Sequence, residues 1–544
     1  MNTRLFLLMA MIGVLLFFSA CGGNSGTNTP PPPPPVTYTI SGTVFGLSGT
    51  GLTLQDNGGN NLSVSATGGF TFTTPITSGS TYNVTVLTQP SAPPQNCAVL
   101  NGGGKANANV TSIEVTCASD WIWVNGLSVV SVYGPFGSPA PSNIPGAREN
   151  GVTWIDNAGN FWLFGGDGEY AVQGGYTRVP FGDLWEYSAG QWTLINGTNA
   201  AASSPAWGQM GMADPSNTPG SRENAAAWTD AAGNLWLFGG ANYNDLWKYS
   251  PSAAQWTWVG GSNVANQPGT YGTPGTAAPG NIPGARSSAV SWTDASGDFW
   301  LFGGSGNDSA GTGGVLNDLW QYSPSSAEWT WVGGSNLANQ SGTYGTLGTA
   351  APGNIPGQRF NANGWTDANG DLWLFGGMFW IPTGPGSATG ANYNDLWKYN
   401  PGSNQWAWMG GSSITNQFGI YGTQGIPSSG NAPGARFSGV TFTDASGNFW
   451  LLGGYGASES AGGTLNDLWR YSGGQWTWMS GSNNPFQPGV YGSQGAAAPG
   501  NIPGARSSAL NWTDKKGNLW LFGGLGTDSN GKAGWLNDLW EYQP

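Results

Sequence analysis

One segment of this chain, Pro283-Gly-Ala-Arg286-Ser-Ser-Ala-Val-Ser-Trp292-Thr-Asp294-Ala-Ser-Gly297-Asp-Phe-Trp300-Leu-Phe-Gly303-Gly304, recurs with small changes through everything after residue 120. Its Arg stands at 148, 222, 286, 359, 436 and 506, so the spacing stays between 64 and 77 residues. Each copy continues into an (Asn/Gly)-Asp-Leu-Trp-Xaa-Tyr segment, with Asp at 183, 245, 318, 395, 467 and 538, and then into a Trp-rich segment such as Trp256-Thr-Trp258-Val. A repeat of this kind stacks one supersecondary unit several times, because a single unit cannot bury its apolar face alone.

Four strands are expected per unit. Strand A follows the Arg, and strand B is the (Phe/Leu)-Trp-Leu run ending in Gly-Gly. Strand C is Leu-Trp-Xaa-Tyr and strand D is Trp-Xaa-Trp. The A–B connection, as in Asp294-Ala-Ser-Gly297, has turn formers at both ends. With 93 Gly and 31 Trp, the chain alternates aromatics with glycines, which fits short strands joined by tight turns and argues against disorder. Short antiparallel strands repeated in fours are the blades of a β-propeller.

The double Gly closing strand B, followed by Tyr and Trp seven positions apart in Tyr249/Trp256, Tyr322/Trp329 and Tyr399/Trp406, resembles the Kelch repeat. Tyr187/Trp192 and Tyr471/Trp476 shorten that interval to five, which implies a tighter C–D turn. The resemblance implies an all-β fold, a galactose-oxidase-like Kelch propeller over residues 120–544. The sixth unit ends at Asp538-Leu-Trp540-Glu-Tyr542-Gln-Pro without a strand D, whereas Trp121-Ile-Trp123-Val, ahead of the first Arg, matches the strand-D pattern. Six blades are expected, with the early strand completing the last blade so that no edge stays open.

Residues 37–119 alternate in strand fashion, as in Tyr38-Thr-Ile40, Phe70-Thr-Phe72 and Tyr82-Asn-Val84-Thr-Val86. They are expected to form a small β-sandwich that resembles prealbumin-like modules and serves as a spacer. Cys97 and Cys117 form an even pair and are expected to be disulfide-bonded in an exported protein. The apolar run Leu5 to Phe18 is shorter than the roughly 20 residues of a spanning helix and fits a signal peptide over residues 1–20. Phe18-Ser19-Ala20-Cys21 resembles a bacterial lipoprotein cleavage box, which implies lipid on Cys21, and Gly22 after it points to the outer membrane. Residues 21–36, with Pro30 to Pro35 unbroken, make an extended polyproline tether. The expected location is the cell envelope, facing either the periplasm or the surface.

The chain has no His, which excludes Ser-His-Asp and Cys-His catalysis and His-ligated zinc or copper. The copper site of galactose oxidase therefore cannot be built here, and neither a metal nor a cofactor is expected. A net charge of −13 with only 15 Lys and Arg argues against nucleic acid as a partner.

Strand direction alternates within a blade, so the B–C and D–A loops share one face. Arg148, Arg222, Arg286, Arg359, Arg436 and Arg506 should ring the channel mouth there. In Kelch domains that capture acidic ligands, Arg residues at such positions line the pocket, so the resemblance makes them candidates for anion binding. They could instead pair with the six strand-C Asp residues, a reading favoured by every copy carrying both, and both readings stay open.

The B–C loops differ between units and so promise one asymmetric groove. Unit 1 brings Asp167-Gly-Glu169-Tyr170 through Tyr176-Thr-Arg178, unit 4 brings Phe379 and Trp380, and unit 6 brings Trp535, whereas unit 2 has only Ala241-Asn-Tyr243. The opposite face gathers Asp156, Asp230, Asp294, Asp367, Asp444 and Asp514, expected to cap their own turns. The resulting expectation is a binding scaffold for a glycan or protein on the B–C and D–A face. The alternative is a carbohydrate-active enzyme of mutarotase, epimerase or lyase type, using Glu169, Arg178 and the Arg ring as acid–base groups. No carboxylate pair stands out at a spacing that demands catalysis, and no residue is assigned as catalytic.

Overall fold

The computed structural model describes every residue except 1–32, 92–94, 131–143, 173–174, 198–201, 385 and 499. The expected signal peptide, Cys21 and residues 21–32 of the expected tether therefore lie outside the described residues. The described residues form strands and turns only, with no helix.

The first eighty described residues make two four-stranded sheets. One runs in the order Gly68–Thr71, Ile40–Phe45, Val110–Ser119, Gln95–Leu100, and the other in the order Asn60–Val64, Leu52–Asp56, Thr81–Thr88, Gly103–Lys105. Alternation drives this arrangement: the period-2 apolar residues Ile40, Val44, Leu52, Leu54, Ile113 and Val115 are all buried in one core shared by the two sheets. Cys97 and Cys117 sit directly opposite each other on neighbouring antiparallel strands and are joined by a disulfide.

The repeats form six antiparallel sheets, and in the first five strands A to D follow sequence order. In unit 3 these are Val290–Thr293, Phe299–Asn307, Gly313–Ser323 and Glu328–Gly333. The strand-D role in the last sheet falls to Trp121–Asn125, which pairs antiparallel with the C-terminal strand Ala533–Tyr542, Trp123 lying opposite Trp540. One sequence expectation needs correcting. Strand B does not end at the double Gly in units 3, 5 and 6: after a register shift it continues and carries the pairing with strand C outward, so the supposed loop there is a sheet extension.

Consecutive sheets pack face to face in the manner of propeller blades. Six apolar clusters each draw on two consecutive sheets, and the cluster of Phe161, Leu163 and Trp192 with Leu510, Trp512 and Phe522 joins the last sheet to the first. Backbone hydrogen bonds trace the same cycle. The amides of Asn150, Asn224, Ser288, Asn361, Ser438 and Ser508 each donate to the carbonyl of the equivalent residue in the preceding sheet at 2.8–3.1 Å, and Asn150 closes the cycle onto Ser508. All six residues are left-handed, with φ between 52° and 59°.

The double Gly is explained by this packing. Both glycines of every pair have positive φ, and a Cβ on the first would stand within 2.8 Å of the carbonyl oxygen of the next sheet's Arg. Indoles add a further set of links. The strand-A Trp154, Trp228, Trp292, Trp365 and Trp512 each donate to a strand-B carbonyl of the following sheet at 3.0–3.2 Å, whereas unit 5 carries Phe442 at that position.

Candidate functional site

The six repeated Arg residues are 0–2% exposed and their strand-C Asp partners 0–1%. Each guanidinium meets its Asp in a fork: Arg148 with Asp183, Arg222 with Asp245, Arg286 with Asp318, Arg359 with Asp395, Arg436 with Asp467 and Arg506 with Asp538, all at 2.7–3.2 Å. Each Nη1 also donates to the carbonyl of the first Gly of the pair. The strand-C Trp two residues on donates its indole N–H to the same Asp at 2.7 Å.

A further donor comes from the incoming D–A loop. Tyr271, Tyr344, Tyr421 and Tyr491 donate their hydroxyls to Asp318, Asp395, Asp467 and Asp538 at 2.6–2.7 Å, and Trp207 takes that place over Asp245. For Arg286, burial works against the charge, but the Asp318 carboxylate outweighs it and raises the pKa. Burial, then the Asp318 charge, pushes the Tyr271 hydroxyl up, so it stays a donor. The fork thus locks strand A, strand C and the loop together. The guanidinium groups face carboxylates within their own sheet. The four Tyr residues were missed from the sequence, although the Gly-Xaa-Tyr-Gly tetrads at 269–272, 342–345, 419–422 and 489–492 mark them.

What varies around the mouth is the residue after each Arg: Glu149, Glu223, Ser287, Phe360, Phe437 and Ser507. In units 1 and 2 these glutamates converge with the unit-1 hairpin Asp167–Val172 and Gly175–Pro180. Backbone hydrogen bonds exchanged between Glu149 and Asp167 at 2.9 Å fix the hairpin's root over strand A. Arg178, whose side chain is 55% exposed, then reaches three carboxylates. It donates Nε to Asp167, and its Nη2 lies 3.5 Å from Glu149 and 4.0 Å from Glu223. Asp167 also accepts from Asn150 Nδ2 at 3.0 Å.

One guanidinium does not compensate three buried or half-buried carboxylates. Burial first and the neighbouring Asp167 next push the Glu149 carboxyl up to about 7, with Arg178 pulling the other way. Burial and the contact with Asp167 likewise push Glu223 up to about 7. Trp535 leans in from the last sheet, where its indole N–H is buried without a well-formed hydrogen bond and draws Glu149 slightly down. Glu169, partly exposed, lies opposite Arg178 in the hairpin register. In that hairpin Tyr170 lies opposite Thr177 and Tyr176 opposite Ala171, and the two tyrosine side chains lie outside the described ones.

Across the mouth, units 4 and 5 present aromatics. Trp380 is 49% exposed and lies against Phe360, ring centroids 6.1 Å apart, while Tyr455 is 44% exposed beside Phe437 at 5.5 Å. Phe379 turns back and stacks on Tyr393 at 5.0 Å, and Tyr393 in turn lies under the Arg359 guanidinium at 4.2 Å. Along strand A, from Thr153, Ala227, Ser291, Gly364 and Asn511 to the residues beside the opposite turns, the channel wall is neutral and lines a cavity of about 410 Å³.

Sequence reasoning missed Glu149 and Glu223 as partners, because 74 residues separate them. The available signal was Arg-Glu-Asn in units 1 and 2, against Arg-Ser-Ser or Arg-Phe-(Asn/Ser) in the other four. On the opposite face, Asp156, Asp230, Asp294, Asp367, Asp444 and Asp514 each bind backbone amides of their own turn and accept an indole N–H from the strand-B Trp six residues on, at 2.8–3.3 Å.

No family model matches the chain, and no curated protein matches it. Among solved structures it is similar to the structure of YjhT, at 14% identity and a TM-score of 0.41, over 73% of this chain and 95% of that one. That likeness is too distant to transfer the role of any residue.

Proposed function

We propose that the chain is a six-bladed Kelch-type β-propeller, preceded by a small β-sandwich over residues 37–119 and carried on a lipid-anchored tether at the outer membrane, and that it works as a binding scaffold for a glycan or protein. The uneven mouth carries this reading. Units 1 and 2 offer carboxylates around one exposed guanidinium, and units 4 and 5, opposite them in the cycle, offer half-exposed Trp380 and Tyr455. A groove with hydrogen-bonding groups on one wall and aromatic faces on the other suits a sugar ring or an aromatic protein anchor.

A second reading has its own observation. Two carboxyl groups held near pH 7 beside an arginine are equipped for proton transfer, as mutarotation or epimerisation of a sugar requires. The full-length chain on a glycan array, with Trp380→Ala as control, tests the scaffold: retention of specific glycans that Trp380→Ala abolishes is expected. Silence on the array and in partner crosslinking, together with sugar turnover seen by NMR and lost in Glu149→Gln, would replace the scaffold with the enzyme.

A further inference from the structure

Arg470 in strand C of unit 5 holds the position that carries Glu186, Lys248, Gln321, Lys398 and Glu541 in the other units. In units 3, 4 and 6 this side chain is matched to the residue just ahead of strand B. Lys398 meets Asp371 at 2.5 Å, Gln321 donates to Asp298 at 2.8 Å, and Asn518 donates to Glu541 at 3.0 Å. In unit 5 that residue is Asn448, which has no charge and gives its amide to Asp444. Every other described arginine meets a carboxylate. Among the described residues, none stands within 4.0 Å of the Arg470 guanidinium, and its enclosed Nε has no hydrogen-bond partner. The residue is only partly exposed and lies over the Trp450 ring at 5.8 Å, so water reaches the charge incompletely.

Arg470 lines a cavity of about 240 Å³ between the N-terminal sheets and units 5 and 6, on the side of the A–B turns and away from the mouth. Leu47 and Ser48 line it from the N-terminal side, and Asp444 and Tyr542 share the wall with Arg470. Neither of the latter two supplies the missing counter-charge. The Asp444 oxygens already accept from the amides of Ser446 and Asn448, from Asn448 Nδ2 and from the Trp450 indole. Burial pushes the Tyr542 hydroxyl above its ordinary value, so it stays neutral.

A guanidinium held partly out of water without a counter-charge carries a cost that an anion entering the cavity removes. Its planar fork fits a carboxylate, and a single positive charge beside Asp444 favours a monoanion over a doubly charged phosphate. We propose that this cavity binds a small monocarboxylate, whose oxygens accept from the Arg470 guanidinium while Leu47 lies against its apolar part. The ligand then bridges the N-terminal sheets and unit 5. This proposal stands apart from the reading of the mouth.

Full-length protein with ¹⁵N-labelled arginine, in detergent and chloride-free buffer, is titrated with acetate, benzoate, glucuronate and inorganic phosphate. The Arg470 Nε signal is identified by its loss in Arg470→Lys. The expected result is a saturable shift of that signal with at least one carboxylate, at concentrations where phosphate leaves it in place. Ser48→Asp sets a resident carboxylate on the cavity wall from the N-terminal side and should weaken the binding about tenfold, the scale of one charge-assisted hydrogen bond. Ser48→Asn, without the charge, should leave the curve where it is. No saturable shift with any of the three carboxylates would show a guanidinium that is simply hydrated and would overturn the proposal. Phosphate binding as tightly as the best carboxylate, or a curve that Ser48→Asp leaves unmoved, would overturn it as well.

Discussion

Arg286 and Arg178 both bind carboxylates, and they do so under opposite conditions. Arg286 is buried against one Asp whose oxygens also accept from Trp320 and Tyr271, so one guanidinium meets one carboxylate. Arg178 is half exposed and faces three carboxylates, two of them shifted towards neutrality. The first arrangement occurs six times and holds the sheets in shape. The second occurs once, and its incomplete compensation leaves protonation and contacts open to a ligand. Repetition marks architecture here, and departure from the repeat marks the place where chemistry is available.

The sharpest way to break this contrast is to cut the buried fork. Arg286→Ala should cost about 3–5 kcal/mol in denaturant unfolding, because Asp318 is left charged and unpaired. The double change Arg286→Ala with Asp318→Ala should cost much less than the two single changes summed. Additive losses would mean that the fork carries no coupling and that the contrast with Arg178 is empty.

Next in size is a pH effect centred on the mouth. In the folded chain the Glu149 carboxyl lies near 7, above the 4.5 of an ordinary glutamate. Between those values the folded state binds more protons than the unfolded one. Stability should therefore fall as pH rises from 4.5 to 7, and then level off. Glu149→Gln should reduce that slope without abolishing it, since Glu223 is raised to about 7 and Asp120 to about 6, measured as unfolding free energy against pH. Parallel curves for the two proteins would show that Glu149 ionises normally.

Arg178→Ala should have the smallest effect on stability, within about 1 kcal/mol, since its side chain is more than half solvated. Its consequence should appear in titration instead. Removing the one cation that lowers Glu149 and Glu223 should move both carboxyls further up, so the sloping region should extend to higher pH. A downward move would assign those shifts to a cause other than unmatched carboxylates.

Much of the architecture was legible because it rests on local pattern. Alternation, turn formers and the recurring Arg and Asp define strands A to D, and the stray Trp121-Ile-Trp123 announced a strand looking for a partner. The pairing of Arg with Asp was legible as one of two options. Choosing between them required knowing that strands A and C bring the two side chains into contact in a space closed to water. The doubled glycines were readable as turns, yet the demand that they leave room for the next sheet's Arg carbonyl exists only once the sheets are packed.

The chain's own order of residues thus determined the period, the strand sequence, the joining of its two ends and the absence of histidine chemistry, since each depends on neighbours in sequence or on composition. Tertiary structure alone decided that Glu149, Asp167 and Glu223 share one guanidinium, and that Tyr271 reaches Asp318 from 47 residues away. The reason is physical: the strength of a charge or an unmade hydrogen bond depends on distance and on exclusion of water, and both arise only when segments far apart in the chain are brought together.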